Sequence, residues 1–303
     1  MSAAIPAASV IVALNPHDND LGRIFRAFDA QAAVTEPFEV IVVDSGARAG
    51  VAQACADHAA RNPLTHVRYI AAGGKGRAAA NNAGADAARA EFLVFVADDF
   101  IPGPTLLRAH LDFQRGLRGP GVAIGPAYFT SECASNPFRR WLEESGRLFG
   151  VSFRTAPSQW PQHFFYVGNA SMTRALFERV GRFDERFTDD LVDDLEFGLR
   201  LAASGVRTHV VVDALAWHDH AVSVEERVEA MRRSGRAARA LERRALDVRP
   251  WAAIVDQPVE QLRDALRVAP AQGATLQEKA DYFRALVDVA FIEGYRDEET
   301  DER

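Results

Sequence analysis

The stretch from Glu91 to Phe100 constrains the fold most, because an unbroken apolar run ends there at two adjacent carboxylates. Phe92–Val96 carries five apolar residues, and Asp98 and Asp99 follow after one alanine. A short run of this kind is typical of a strand buried on both faces of a parallel sheet. Ligands of open α/β sheets bind beyond the carboxyl ends of the strands. The pair therefore predicts a Mg²⁺ or Mn²⁺ site that carries a diphosphate, with an acidic turn as the alternative.

The first hundred residues alternate strands with helices. Apolar runs at Ala8–Leu14 and Phe38–Asp44 predict buried strands, and a shorter strand is predicted at His66–Ala71. This alternation predicts right-handed crossovers and a mostly parallel sheet. Asp44 and Asp98 then lie at the same edge of that sheet, which is a nucleotide-binding layout.

Composition sets the outer bounds. Of 303 residues, 48% are hydrophobic and 25% are charged, as in ordinary globular proteins. The formal charge of −7 argues against nucleic-acid binding. Cys55 and Cys133 form no ligand-spaced cluster, which favours a reducing compartment. No segment approaches the ~20 apolar residues of a membrane helix, and the first eight residues lack the basic start of a signal peptide. We therefore expect a cytoplasmic protein.

A glycine-rich turn precedes the next helix. Gly73-Gly74-Lys75-Gly76-Arg77 opens an alanine-rich segment. Glycines and basic side chains before a helix N-terminus can cradle a diphosphate. A flexible turn is the alternative.

The segment that follows carries a family resemblance. Gly76-Arg77-Ala78-Ala79-Ala80-Asn81-Asn82-Ala83-Gly84, which runs on to the strand ending Ala97-Asp98-Asp99, is similar to the glycosyltransferase family 2 pattern. Asn82 and Gly84 match that pattern, whereas Asn81 replaces its usual Arg and Ala97 replaces the first Asp of its acidic motif. The resemblance implies a GT-A fold and a nucleotide-sugar donor, and we expect a UDP-sugar.

The resemblance also implies roles for individual residues. Asp99 would hold the metal, and Asp44 would bind the nucleobase with Leu14 and Asn15 beside it. The remaining donor-binding candidates are Gly76, Arg77, Asn82 and Asp98.

The second half of the chain carries further matching elements. After predicted strands at Val122–Tyr128 and Phe164–Ala170, Gly181-Arg182-Phe183-Asp184-Glu185 and the segment from Asp193 to Leu201 resemble the family's G-G-F-D-E element and its E-D-x-x-L-x-x-R-L helix. By position, Asp194 inherits the role of general base. Transfer with inversion is one in-line displacement, so a carboxylate must accept the proton of the acceptor hydroxyl. Simple capping of a helix by the two aspartates is the alternative.

Two further sets of candidates complete the expected site. In the family, a His after the strand Arg207–Val212 completes the metal site, and His218 is the candidate here, with His220 as the alternate. Acceptor candidates come from the loop before residue 164 and from the second half: Trp160, His163, Gly168, Asn169 and Asp193. Trp160 has the alternative of plugging the core under its loop.

The resemblance covers roughly residues 9–220 and leaves the C-terminus unexplained. We expect a GT-A domain over residues 1–222, with a nucleotide-binding half at 1–100 and an acceptor half at 101–222. A helical extension should follow at 223–303. Its first helix, 223–246, repeats arginines on one face, which is either solvated or in contact with phosphate groups or the inner face of a membrane. The repeated residues are Arg232, Arg236, Arg239 and Arg243.

The sequence thus predicts an inverting glycosyltransferase that uses Mn²⁺ or Mg²⁺. The acceptor is open between a saccharide, a lipid-linked sugar, a protein and a small metabolite. A sugar nucleotidyltransferase is a second hypothesis, although Asn15-Pro16-His17-Asp18 lacks its usual glycine-rich, basic signature. A non-catalytic relative that binds the nucleotide-sugar is a third, suggested by Asn81 and Ala97.

Overall fold

A computed structural model describes residues 5–15, 20–31, 34–46, 48–62, 65–73, 76–155, 164–187, 192–243, 253–271 and 273–297. The chain divides into two compact units. One comprises Met1–Thr130 and Phe153–His220, and the other comprises Ser131–Ser152 and Ala221–Arg303. The segment 131–152 thus groups with the C-terminal helices, whereas the sequence predicts a single boundary at residue 222.

The strands of the described residues all belong to the first unit. In chain order they are β1 Ala8–Ala13, β2 Phe38–Asp44, β3 Thr65–Ala71, β4 Phe92–Val96, β5 Phe100–Pro102, β6 Gly121–Ile124, β7 Ala127–Phe129, β8 Asn169–Thr173, β9 Arg207–Val210 and β10 Ala216–His218. Seven of them form a sheet in the order β3-β2-β1-β4-β8-β6-β9, and β5-β10-β7 form a smaller sheet. In the larger sheet only β8 runs antiparallel to its neighbours. The predicted mostly parallel α/β sheet is confirmed.

The helices connect and cover these strands. In chain order they are α1 Leu21–Asp29, α2 Val51–Arg61, α3 Gly76–Ala87, α4 Leu106–Gly116, α5 Pro137–Glu144, α6 Arg174–Val180, α7 Asp193–Ala203, α8 Val224–Arg243, α9 Val259–Ala265 and α10 Leu276–Arg296. Every residue of β1 and β2 is buried, as expected for strands with both faces covered.

Helix α3 lies unusually close to the sheet. A Cβ atom on Gly84 would lie 2.5 Å from Ile11 Cγ2 and 3.1 Å from Val43 Cγ2, so only glycine allows this approach. Because α3 runs back across parallel strands, its first residues lie at the carboxyl edge of the sheet. Close packing at Gly84 therefore fixes where Gly76 and Arg77 stand.

Two predicted strands differ from the observed ones. Val122–Tyr128 is split between β6 and β7, because Gly125 and Pro126 separate the two sheets at a point where a Cβ on Gly125 would overlap the carbonyl of Ala214. The strand predicted at Phe164–Ala170 begins only at Asn169. Upstream of it, the Val167 N–H donates to the Asp194 carboxylate (2.9 Å) and is not available to a strand ladder.

The second unit is helical. Its helices α8 and α10 meet at two glycines: a Cβ on Gly235 would overlap the Phe291 carbonyl, and a Cβ on Gly294 would overlap the Arg232 carbonyl. Such close contact between backbones requires residues without side chains.

The arginine face of α8 is occupied by acidic partners. Arg232 pairs with Glu229 (2.8 Å), Arg236 with Glu229 (3.6 Å), and Arg239 with Glu242 (3.1 Å). A contact of this face with a membrane surface stays a prediction. Within the described ranges, the helices are too short or too polar to cross a membrane.

Candidate active site

One carboxylate and two imidazoles converge just beyond the end of β4. The ligand atoms of Asp99, His218 and His220 all lie within 4.8 Å of one another. His218 Nε2 lies 3.2 Å from Asp99 Oδ2, and His220 Nδ1 lies 3.9 Å from the same oxygen. The structure therefore brings the predicted metal ligand Asp99 together with both candidate histidines. Carboxylate and imidazole donors at this spacing suit a divalent ion such as Mn²⁺.

The smaller sheet fixes the orientation of His218. In β10, His218 is paired with Phe100 of β5 on one side and with Phe129 of β7 on the other. Its ring stacks on Phe129 at a centroid distance of 4.9 Å and packs against Phe100 at 5.3 Å. The imidazole is thus held between two aromatic rings, with Nε2 toward Asp99.

Asp219 anchors the segment between the two histidines. Its N–H donates to the Asp99 carbonyl (2.8 Å), and its carboxylate pairs with Arg23 of α1. Thr130 Oγ1 lies 3.4 Å from the same carboxylate. Asp219 belongs to no local sequence pattern that would predict its role, because its partners come from distant segments of the chain.

The environment keeps Asp99 ionised. Burial raises the pKa of this carboxyl, but the charge and hydrogen bond of His218, with the charge of His220, outweigh burial and lower the pKa below its usual value. An ionised carboxylate is the form that binds a cation.

Asp98 binds Asn15 and is not part of the cluster formed by Asp99 and the two histidines. Its two oxygens accept hydrogen bonds from the backbone N–H and the side-chain amide of Asn15, both at 2.8 Å. The buried Asp98 thus joins the end of β4 to the loop after β1, where Leu14 donates its N–H to Val43 (2.9 Å). The structure brings together the predicted donor-binding residues Leu14, Asn15 and Asp98.

A second group of charges surrounds Asp194 at the start of α7. Arg77, at the start of α3, donates to both oxygens of Asp193 (3.1 and 2.5 Å) and to Asp194 Oδ2 (3.0 Å). The other oxygen of Asp194 accepts the Val167 N–H at 2.9 Å. The Asp193 side chain is 1% exposed and that of Asp194 is 19% exposed. Only Asp194 of this pair is therefore open to a ligand.

The pKa of Asp194 is raised to about 7. Burial is the main cause, the Arg77 charge opposes it, the Asp193 charge adds to it, and the hydrogen bonds from Val167 and Arg77 oppose it. A carboxylate that titrates near neutral pH is suited to accept a proton from a hydroxyl.

The two groups of charges flank one short segment. Val167 donates its N–H to Asp194, while the carbonyl of Gly168 accepts the N–H of Ala97 (2.9 Å), two residues before Asp99. Gly168 is tightly packed, because a Cβ there would lie 3.2 Å from the rings of Phe100 and Tyr166, which would have to shift by a few tenths of an ångström.

Two other predicted donor-binding residues make contacts within the fold. Asp44 is buried at the end of β2, where its carboxylate accepts the N–H groups of Gly46 (2.9 Å) and Arg48 (2.6 Å) and closes the turn. Asn82 binds the Phe183 carbonyl (2.9 Å) and N–H (3.1 Å) through its amide. Their contacts with a donor stay predictions.

The described residues of the predicted acceptor set make contacts within the fold, and their contact with an acceptor stays a prediction. Asn169 is fully buried, and its amide binds the Ala214 carbonyl (2.7 Å) and His110 (2.9 Å). Asp193 is held by Arg77, and Gly168 contributes only backbone. Trp160 and His163 lie outside the described residues.

Comparison with known proteins identifies the family. The sequence model described as glycosyl transferase family 2 matches residues 9–181, more than half of the chain. The chain belongs to glycosyl transferase family 2. Two curated relatives are validoxylamine A glucosyltransferases of Streptomyces hygroscopicus, from subsp. limoneus and from subsp. jinggangensis strain 5008, at 28% and 27% identity over 223 residues. Those matches cover 67% of this chain but only 49% and 53% of the relatives, so the chain spans about half of their length.

Solved structures share the fold of this family 2 chain. A mannosyltransferase from Pyrobaculum calidifontis, PcManGT, in complex with GDP-Man and Mn²⁺, aligns with a TM-score of 0.55 at 20% identity, over 97% of this chain and 73% of that one. S. aureus TarS 1–349 in complex with UDP aligns with a TM-score of 0.50 at 16% identity, over 95% of this chain and 90% of that one. The predicted GT-A fold is confirmed.

The family 2 motif also contains a residue whose side chain the sequence did not explain. Asn81 is buried on α3, and its side-chain nitrogen has no hydrogen-bond partner within the part of the chain that the structure describes. A buried amide donor without a partner is costly in a folded protein. It is a candidate contact for a bound donor.

Proposed function

We propose that this chain is an inverting, divalent-metal-dependent glycosyltransferase that transfers a sugar from a nucleotide-sugar, most simply a UDP-sugar, to an acceptor hydroxyl. The observation that carries this proposal is the arrangement of Asp194. Its carboxylate has a pKa near 7 and is partly exposed, and it lies across one short backbone segment from the Asp99, His218 and His220 cluster. Family membership supports sugar transfer and argues against a nucleotidyltransferase.

Asp194 is the proton acceptor in the proposed reaction. The acceptor hydroxyl oxygen forms a bond to the anomeric carbon while the bond from that carbon to the diphosphate oxygen breaks. The hydroxyl proton passes to Asp194, and the bonding electrons leave with the diphosphate. Because Asp194 must be ionised to accept the proton, turnover should rise as the pH increases through about 7.

Asp99, His218 and His220 are the residues that would hold the ion. Their one carboxylate and two imidazoles fit Mn²⁺ better than Mg²⁺, since nitrogen ligands are softer than oxygen. When bound, the ion supplies positive charge beside the diphosphate leaving group.

The donor would lie along the carboxyl edge of β1, β2 and β4. The candidates there are Leu14, Asn15, Asp44, Gly76 and Asp98, with Asn81 added by its unpartnered amide nitrogen. Relatives support this class of donor, since PcManGT is described with GDP-Man and Mn²⁺ and TarS with UDP.

Replacement of the base tests the proposal. Release of nucleoside diphosphate from UDP-glucose and GDP-mannose should be measured with Mn²⁺, for the wild type, Asp194→Asn and the control Asp112→Asn. Asp112 is an exposed carboxylate of α4 that pairs with Arg108, so its loss should leave turnover unchanged. Loss of a positioned base typically lowers the rate by about 10²–10⁴. UDP binding should hardly change.

Near-normal turnover of Asp194→Asn, with a lower melting temperature, would instead show that Asp194 only caps α7. No release of nucleoside diphosphate by the wild type with either donor would favour a non-catalytic relative.

A further inference from the structure

The guanidinium of Arg77, at the start of α3, binds the carboxylate of the proposed base Asp194 (3.0 Å). We propose that Arg77 is a positioning residue that acts on the reaction through Asp194, by holding that carboxylate where it receives the acceptor's proton. This inference rests on the proposed function. It differs from the role in diphosphate binding that the sequence predicted for Arg77.

The geometry commits Arg77 to the two aspartates. Its Nε and Nη2 bind both oxygens of Asp193 (3.1 and 2.5 Å), and Nη2 also reaches Asp194 Oδ2 (3.0 Å). The side chain is 18% exposed and Asp193 is 1% exposed. If Arg77 turned toward a diphosphate, it would leave a buried carboxylate without its cation, which is strongly unfavourable.

The same contacts fix the orientation of Asp194. Val167 holds Oδ1 through its backbone N–H, and Arg77 holds Oδ2, so both oxygens are bound by groups on other segments. Arg77 is held in turn by Asp193, whose Oδ1 also accepts the Asp194 N–H (2.9 Å). The carboxylate can therefore rotate only if these contacts break.

Charge balance gives the second part of the argument. Within the part of the chain that the structure describes, the charged or titratable groups that act on Asp194 are Arg77 from α3, Asp193 from α7 and Tyr166 from the segment before β8. Tyr166 is neutral, because burial raises its pKa well above the usual value, and the charge of Asp194 raises it further. Arg77 thus offsets the charge of Asp193, and without it two adjacent carboxylates would remain.

Two variants test this role. Arg77→Gln removes the cation, and Arg77→Gln with Asp193→Asn removes the cation and its partner, which restores the net charge around Asp194. Turnover of UDP-glucose with Mn²⁺ should be measured from pH 6 to 10, together with UDP binding by calorimetry. If the wild type is active only with GDP-mannose, GDP-mannose replaces UDP-glucose in the turnover assay and GDP replaces UDP in the calorimetry.

Loss of a neighbouring opposite charge raises the pKa of a carboxyl by about 1–3 units. Turnover of Arg77→Gln at pH 7 should therefore fall by about 5-fold to several hundred-fold and recover as the pH is raised. The double variant should return the pH profile toward that of the wild type. UDP binding should be unchanged in both.

Weaker UDP binding by Arg77→Gln, with an unshifted pH profile, would overturn the inference and return Arg77 to the diphosphate. A double variant whose pH profile stays displaced would also overturn it. If Arg77→Gln does not fold, Arg77→Lys is the variant to measure, because it keeps the positive charge but offers a single donor group. The expected result is then a lower kcat with the same pH dependence of turnover as the wild type.

Asp194→Asn separates the two proposals. If that variant loses turnover while Arg77→Gln keeps the profile of the wild type, the base assignment stands and the role of Arg77 fails. If Asp194→Asn keeps turnover, the base assignment fails, and this inference fails with it.

Discussion

Acid should destabilise the first unit through one buried histidine. His110 of α4 is fully buried, with Nδ1 at 2.9 Å from Ser171 Oγ and Nε2 at 2.9 Å from Asn169 Oδ1. Gln114 completes the network by donating to the Ser171 carbonyl (2.9 Å) and hydroxyl (3.2 Å). All these bonds are satisfied by a neutral ring that donates from Nε2 and accepts at Nδ1. A second proton on the ring would face the Ser171 hydroxyl and disrupt that arrangement.

The magnitude follows from the pKa of His110. Burial lowers it from 6.5 to about 4, although the hydrogen bond to Asn169 opposes the change. Between these values the unfolded chain binds a proton and the folded chain does not, so stability that is fully present above pH 6.5 is lost as the pH falls toward 4. This difference between the pKa values of the unfolded and folded chains corresponds to about 3 kcal/mol of unfolding free energy.

Urea unfolding of the wild type and of His110→Gln at pH 7, 5.5 and 4 measures this loss. Carboxylates titrate in both proteins and cancel in the difference, and the glutamine amide can still donate to Asn169. The stability advantage of the wild type should shrink by up to about 3 kcal/mol between pH 7 and 4. Parallel pH profiles of the two proteins would refute the reasoning, as would a His110 proton resonance that titrates near pH 6.5.

Three further outcomes are expected. Asn82→Ala should lower the free energy of unfolding by about 1–3 kcal/mol, because it leaves the buried N–H and carbonyl of one residue without partners, as denaturant unfolding would show. His218→Ala should abolish Mn²⁺ binding in calorimetry, whereas His220→Ala, whose imidazole lies farther from the carboxylate, should only weaken it. Gly235→Ala should destabilise the helical unit by about 1–3 kcal/mol in denaturant unfolding, because its Cβ would lie 2.7 Å from a backbone nitrogen of α10. Gly116→Ala, at the end of α4 with open space around it, should leave the stability of the first unit unchanged.

The sequence was sufficient for the alternation of strands and helices in the first hundred residues and for the sheet edge that carries the site, but not for the short strands β5 and β10 of the smaller sheet. Apolar runs such as Phe92–Val96 predict buried strands by themselves, and parallel connection then brings Asp44 and Asp98 to one edge. Local periodicity thus determines which elements form. It also locates the predicted ligand Asp99 at the end of its strand.

Contacts between distant segments could not be predicted in the same way. The match of Asn82 to the family pattern gives no sign that its amide binds the backbone of Phe183, 101 residues later. The role of Val167 is carried by a backbone N–H, which every residue except proline possesses, so no side-chain pattern reveals it. The association of segment 131–152 with the C-terminal helices is likewise a property of packing.

The adjacent carboxylates Asp98 and Asp99 show why proximity in sequence is a weak guide to shared ligands. Side by side, they suggested one ion held by two oxygens. In the structure Asp98 is bound by Asn15, in the loop after β1, while Asp99 faces His218 at the end of β10 and His220 just beyond it. The pair therefore joins two parts of the proposed site, the nucleotide side and the metal side, at one rigid strand end. Replacing Asp98 should consequently disturb contacts on the nucleotide side, and replacing Asp99 should disturb the metal side. If both aspartates held one shared ion, the two replacements would have the same effect.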